Sequence, residues 1–227
     1  MDSTIALFPL STVLFPNEPI SLNIFESRYR KLIQERIGQD PLFGVVLINE
    51  GFEVGPNPEI HTVGTAARLE TIIQHSDGRY TVTLIGTDRF RILSTSLDSD
   101  YMTGEVEWLT EELDADLSSN ALGHQVREEF VAYVDVIAGD LQDPEAQTDL
   151  KELIREALSD DPETCSFQIA SNLPSNSWQK QALLEIDETS VRLSTLLQLI
   201  RRERQMLRVA GPTIAADYRF DRQFSAN

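Results

Sequence analysis

The sequence predicts an α+β protein whose sheet and helices are segregated along the chain, and three observations carry that prediction. Residues 5 to about 110 hold short, β-branched apolar runs broken by turn residues, including Asp77-Gly78 between two alternating stretches. Residues 118 to about 209 instead repeat their apolar positions at helical spacing. Between them TEELDADLSS, residues 110–119, is acidic and turn-rich with no apolar period. The expected organisation is a β-rich unit over 1–110, an acidic linker over 111–119, a helical unit over 120–209 and an extended or disordered tail over 210–227.

The first half opens with Leu7-Phe8-Pro9-Leu10 and Val13-Leu14-Phe15-Pro16. Prolines cannot donate to a ladder, so both pieces are expected as edge or irregular strands. In FESRYRKLIQERIG, Phe25, Tyr29, Leu32, Ile33 and Ile37 share one face and Gly38 supplies a stop, which predicts an amphipathic helix over 25–37. Phe43-Gly44-Val45-Val46-Leu47-Ile48 is too short and too β-branched for a helix and reads as a buried strand. Asp77-Gly78 predicts a hairpin, with Gly64 and Gly86 permitting the bends of a small closed barrel. Tyr101 to Leu109 completes the strands.

In the second half, Leu122, Val126, Phe130, Val134 and Ile137 predict a helix ended by Gly139, and Leu150, Leu153, Ile154 and Leu158 predict another. Asp161-Pro162-Glu163-Thr164 reads as a helix start with proline in the first turn, and Pro174 closes that helix. A fourth helix begins near Ser177 and carries Trp178, Ala182, Leu183 and Ile186. The last is expected from about Asp187 to Val209, with Val191, Leu196, Leu197, Ile200 and Leu207 as its stripe. Arg201, Arg202, Arg204 and Arg208 lie where cations complement the helix dipole.

Charge and motifs exclude much. With 19 Lys and Arg against 37 Asp and Glu, the formal charge is −18. A field of that sign repels phosphate backbones, and no nucleic-acid partner is expected. Cys165 is the lone cysteine, so no intramolecular disulfide is possible and a reducing compartment is expected. MDSTIALFPLS lacks the pattern of a secretory leader, and no window approaches 18 uninterrupted apolar residues. A cytoplasmic protein with no membrane partner is therefore expected.

There is no phosphate-binding G-x-x-x-x-G-K-[ST] loop, no G-x-S-x-G elbow and no H-E-x-x-H helix. His61, His75 and His124 read as lying in a loop, beside a turn and on a helix, without partners at metal-ligand spacing. Cys165 reads as a buried, inert thiol. Glu111-Glu112 and Asp160-Asp161 are explained as linker and helix-start residues. No cofactor, metal or catalytic residue is expected.

Two blocks carry a family resemblance. LFPLSTVLFPNEPISLNIFESRYRKLIQERIGQDPLFGVVLI with VGTAARLETIIQHSDGRYTVTLIGTDRFRIL resembles the N-terminal substrate-binding domain of Lon proteases, especially stand-alone bacterial proteins built from that domain. FQIASNLPSNSWQKQALLEIDETSVRLSTLLQLIRRERQML resembles the helical segment of the same family through Lys180-Gln181, Leu183-Leu184-Glu185 and Arg192-Leu193. The resemblance implies a PUA-like β pseudobarrel with one amphipathic helix, then a small all-α bundle ending in a long helix. It implies a protein- or peptide-binding module that recognises unfolded or tagged polypeptides or docks a partner in proteolysis. The ATPase and protease motifs of full-length Lon are not found in this sequence, so no peptidase activity is expected of it. True PUA domains bind RNA, but residues 1–110 hold eight Lys and Arg against fifteen acids, which argues against that role here.

On the first helix, the face opposite Phe25, Tyr29 and Leu32 presents Glu26, Ser27, Arg30, Lys31 and Gln34. The resemblance implies that this helix meets substrate, which makes Glu26, Arg30 and Lys31 the candidate partner-binding residues. The bland alternative is a solvated face with i,i+4 pairs from Glu26 to Arg30 and from Lys31 to Glu35. Phe15, Pro16 and Phe43 are candidates for lining an apolar groove. A hydrolase reading would need two carboxylates facing one cavity, for which Glu70, Asp88 and Glu105 are the strand-region candidates. A scaffold that dimerises through the last helix is the remaining alternative.

Overall fold

A computed structural model describes residues 4–36, 42–53, 58–98, 100–110, 117–139 and 144–210. The chain divides into two compact units, one of residues 1–111 and 175–187 and one of residues 112–174 and 188–227.

The first unit contains β1 (Thr4–Leu10), β2 (Pro19–Ile24), α1 (Ser27–Arg36), β3 (Leu42–Glu50), β4 (Glu59–Gln74), β5 (Tyr80–Ser96) and β6 (Thr103–Trp108). To these it adds a short helix from late in the chain, α5 (Ser177–Leu184). The strands run in the order β2-β5-β4-β3-β1-β6, and β6 also pairs with β5. That extra pairing closes β5, β4, β3, β1 and β6 into a ring. It is possible because β5 is 17 residues long: one edge of it meets β2 through Tyr80–Ile85 and then β6 through Phe90–Ser96. Closure of this kind removes free sheet edges.

The hairpin expected at Asp77-Gly78 forms. His75 N donates to Arg79 O (2.9 Å) and Gly78 N to His75 O (3.0 Å). Gly78 takes a φ of +81° that a side chain would resist. Gly86 is required by close approach, since a Cβ there would lie 2.2 Å from Phe15 O. Gly64 would meet Val45 O at 2.5 Å. Both glycines neighbour register shifts in the ladder, where long strands bend.

β1 is not the edge strand expected. It pairs in parallel with β3 through Ala6–Leu10 and antiparallel with β6 through Thr4–Ala6. The missing N–H of Pro9 is tolerated because the β6 ladder has ended three residues earlier. Val13–Pro16 is irregular, as expected.

Both faces of β1 and β3 are covered, which explains their continuous apolar text. One cluster, Ile5, Leu7, Val46, Ala66, Phe90, Met102 and Val106, draws on all five ring strands or the residue leading into β6, and fills the inside. The larger cluster sets Tyr29, Leu32 and Ile33 of α1 against Phe8, Phe43, Val45 and Leu84. There the rings of Phe8 and Tyr29 stack at 4.6 Å and those of Phe8 and Phe43 meet edge-on at 5.5 Å. Phe25, expected on this buried face, precedes the first helical residue and is 51% exposed, because the helical period does not extend to it.

The second unit contains α2 (Leu117–Ala138), α3 (Pro144–Ala157), α4 (Pro162–Asn172) and α6 (Thr189–Ala210). Asp161 caps α4 by accepting from Thr164 N, with Pro162 in the first turn as the sequence implies. Val126, Phe130, Phe167, Ile169, Leu193, Leu196 and Ile200 form its core. Arg192 is fully buried there, its guanidinium 3.9 Å above the Phe167 ring, with Nε donating to Ser166 Oγ (2.7 Å) and Nη2 to Thr189 Oγ1 (2.9 Å). Val191, expected in the stripe of α6, is exposed; Leu193 takes the buried place. Of the arginines near the end of α6, Arg204 pairs with Glu129 at 2.7 Å and Arg201 lies 3.8 Å from it.

The domain expectation needs two corrections. Residues 175–187 group with the sheet rather than the helices. Residues 117–119, expected in the linker, already belong to α2. Residues 111–116 and the tail from 211 to 227 lie outside the described residues.

Candidate functional site

Arg30 and Lys31 lie on α1 and Glu26 just before it, but their pairing differs from the expected i,i+4 pattern. Glu26 bonds Arg28 (3.1 Å) rather than Arg30. Arg28 Nη2 also donates to Glu53 O (3.4 Å), and its guanidinium lies 4.7 Å from the Tyr29 ring centre. Burial pushes the Tyr29 phenol up to about 12. Lys31 is held by Asp100, with Glu35 at 4.0 Å. The Asp100 hydrogen bond raises the Lys31 ammonium above its ordinary value. Arg30 is half-buried, and its guanidinium reaches across the hairpin turn to Gly78.

The expected apolar groove fails on burial. Phe15 and Phe43 are 0% exposed, while Pro16 is half-buried. Phe43 packs inside the layer beneath α1, and the Phe15 carbonyl is pressed against Gly86. A short apolar run that lies between two covered faces has no side left for a ligand.

The exposed aromatics are others, which the sequence pattern does not single out as site residues. Phe25 is 51%, Phe52 82% and Trp178 58% exposed. Their segments are tied together within the first unit. Arg28, three residues after Phe25, donates to Glu53 O, one residue after Phe52. The Glu53 carboxylate accepts from Ser11 N, and Ser11 O accepts from Ser177 Oγ (2.9 Å), one residue before Trp178. Large exposed apolar groups on segments tied together are candidates for an interaction surface, which scattered single ones are not.

α5 supplies Trp178 because its other face is fixed. A capping box between Asn176 and Gln179 starts the helix, and Gln181, Leu183 and Leu184 are buried. Gln181 Nε2 donates to Val63 O (3.0 Å) and Glu185 Oε1 (2.8 Å). Arg89, 3% exposed, donates through Nη1 to Leu184 O (2.7 Å) and Ile186 O (2.9 Å), closing the helix C-terminus. His61 lies on β4, not in the loop expected. Its Nδ1 is 3.2 Å from Glu185 Oε1, and its ring meets the Trp178 ring edge-on at 5.1 Å. A tryptophan in the first turn of a capped helix, next to a polar run, is the signal that identifies Trp178. Phe52 follows Gly51 in a turn (φ +111°), a place for exposed side chains.

The hydrolase candidates do not converge. Glu70, Asp88 and Glu105 are exposed on three different strands. Glu70 pairs with Arg68 (3.2 Å) and Glu105 accepts from Ser94 Oγ (3.3 Å). Projected onto β5 through the strand register, Glu70 and Glu105 lie about four and six residues from Asp88, roughly 13 and 20 Å at ~3.3 Å per residue. Cys165 is 2% exposed, and burial pushes its thiol up to about 11, away from the thiolate that nucleophilic chemistry requires. Among the described residues no group of three or more His, Cys, Asp and Glu is arranged to hold a metal ion. No described helix is long and apolar enough to cross a membrane.

Comparison with known proteins fits this architecture. Residues 4–202 match the model of the ATP-dependent protease La (LON) substrate-binding domain. Lon protease 2 of Sorangium cellulosum is 29% identical over 212 residues, covering 91% of this chain and 25% of that protein. Lon protease of Bacillus thuringiensis is 25% identical over 208 residues, covering 91% and 25%. The chain thus spans about a quarter of the length of these relatives. The crystal structure of a Lon N-terminal domain protein from Xanthomonas campestris aligns with a TM-score of 0.58 at 26% identity, over 86% of this chain and 97% of that one. The N-terminal domain of the Mycobacterium avium complex Lon protease aligns with a TM-score of 0.64 at 15% identity, over 87% and 98%, a likeness of fold. With a family model spanning both the closed sheet and the helices, the chain belongs to the LON substrate-binding domain family.

Proposed function

We propose that this chain is a non-enzymatic polypeptide-binding module of the cytoplasm, which holds unfolded or tagged segments of client proteins for proteolysis or quality control. The observation that carries the reading is the set of exposed rings, Phe25, Phe52 and Trp178, on segments joined by the Arg28, Glu53, Ser11 and Ser177 hydrogen bonds. An unfolded chain offers apolar side chains that a folded protein hides. Rigid aromatic anchors receive them at small conformational cost. Family membership supports the same reading, since the family is named for substrate binding.

Glu26, just before α1, and Arg30 and Lys31 on it are assigned as the polar part of the binding surface. As an exposed charge, Lys31 sets encounter rate and orientation more than affinity. The test is fluorescence anisotropy with a labelled unfolded model polypeptide and a folded control of the same composition. Selective binding of the unfolded chain, weakened by charge reversal at Arg30 and Lys31 and more strongly by Phe52→Ser with Trp178→Ser, is expected. Equal binding of folded and unfolded forms, or none, overturns the reading.

A further inference from the structure

In a chain with 37 acids against 19 basic residues, a buried or half-buried arginine would be expected to find a carboxylate. Arg30 does not find one among the described residues. The carboxylates around α1 are each taken: Glu26 by Arg28, Glu35 and Asp100 by Lys31. Asp77, in the turn that Arg30 approaches, is taken by Arg79 Nε at 2.7 Å. The Arg79 backbone N–H also donates to Asp77, and these bonds hold its carboxyl below the ordinary range.

The Arg30 guanidinium is nevertheless positioned. Its Nη2 lies 3.1 Å from where a Cβ on Gly78 would stand, so the glycine leaves room for it across the hairpin turn. Its Nε is buried without a hydrogen-bond partner. The helix turn behind it is anchored by Tyr29 and Ile33 in the core and by Gln34 Nε2 donating to Tyr80 OH (3.1 Å). A guanidinium seated beside this turn with donors to spare presents a planar fork to a two-oxygen acceptor.

We infer that Arg30, together with the β4–β5 turn at Gly78, is a receptor for a single carboxylate of the bound polypeptide. This rests on the polypeptide-binding reading above and specifies the chemistry of what is bound. The surrounding charge narrows it further. At a formal −18 the protein repels strongly acidic segments at long range. The segment that fits is therefore apolar and neutral or basic, with one carboxylate, supplied by a C-terminus or by an isolated Asp or Glu.

Three labelled peptides of one apolar, weakly basic sequence test this: one with a free C-terminal carboxylate, one C-terminally amidated, and one amidated with a single internal Glu. Anisotropy with the full chain is expected to give about tenfold tighter binding of at least one carboxylate peptide than of the plain amide. Preference for the first assigns the site to a terminus, and for the third to a side chain. In Arg30→Gln the ratio between carboxylate and amide peptides should collapse to near one, and Arg30→Lys, lacking the fork, should restore it in part. An unchanged unfolding midpoint shows that the variants fold. Equal binding of all three peptides, or a preference that survives Arg30→Gln, overturns the carboxylate receptor and leaves polypeptide binding standing. Binding of none overturns both.

Discussion

Removing the Arg89 guanidinium should loosen α5 and the candidate site with it. Arg89 is the buried side chain that fastens the returning segment: its Nη1 spans Leu184 O at 2.7 Å and Ile186 O at 2.9 Å, with Asp187 Oδ1 at 3.8 Å. Arg89→Met keeps most of the stem and leaves the two carbonyls without these donors. A buried acceptor stripped of its partner costs about 1–3 kcal/mol, and a half-buried one less. Taking about 2 for Leu184 O and about 1 for Ile186 O gives roughly 3 kcal/mol. The Asp187 contact adds little, because that carboxylate is 57% exposed. Methionine also avoids desolvating a charge, so the net loss is about 2–3 kcal/mol. Trp108 and Trp178, the two tryptophans, both lie in the sheet unit, so urea unfolding followed by tryptophan fluorescence reports on that unit alone. Hydrogen exchange over residues 177–184 should speed up in the variant. A loss under about 0.5 kcal/mol with unchanged exchange would refute the assignment of Arg89 as the clasp of α5.

Gly86→Ala should destabilise the sheet unit by about 3 kcal/mol or more, because its Cβ would stand 2.2 Å from a backbone oxygen that cannot swing aside; a normal unfolding midpoint would contradict the tight closure at Phe15. Alkaline pH should weaken the two units separately. The Tyr29 phenol, near 12 against an ordinary 10.0, and the Cys165 thiol, near 11 against 9.0, hold their protons more tightly when folded. Both contributions are fully present below the unfolded values and are lost as pH rises through the folded ones. Fluorescence-detected stability of the sheet unit should therefore fall between about pH 10 and 12, and circular dichroism of the helical unit between about pH 9 and 11, the latter fall being absent in Cys165→Ala. Lys31→Ala should leave the unfolding midpoint where it is, since both Lys31 and Asp100 are more than half exposed; a clear drop would show that this pair fastens α1.

Much of the fold is legible in the sequence because period and punctuation agree. Asp77-Gly78 marks its hairpin, and Asp161-Pro162 marks the start of α4. What local pattern cannot show is which elements meet. α5 reads as one more helix in a helical run, yet Gln181 and Arg89 bind it to the sheet through partners more than 90 residues away in sequence. β1 reads as an edge strand from its proline, and only the lengths of its two ladders reveal that Pro9 lies past the end of one. Phe15, Phe43 and Phe25 illustrate the same limit at the site. An apolar run cannot reveal whether its second face is covered, so the first two are core and the third is exposed. The charged positions around α1 are legible in the sequence, although Lys31 is exposed while Glu26 and Arg30 are half-buried. Their pairing is not, because Arg28 of the same helix takes Glu26 while Asp100, from outside it, takes Lys31, which leaves Arg30 without the partner that i,i+4 spacing suggests.

The most direct test of polypeptide binding is the affinity of the purified chain for an unfolded model polypeptide, compared with Phe25→Ser, Phe52→Ser and Trp178→Ser combined in one variant. Those rings are 51–82% exposed, so their loss should leave the fold intact. Burial of aromatic area at about 25 cal/mol per Å² predicts a weakening of at least tenfold. Undiminished binding in the triple variant would contradict the account.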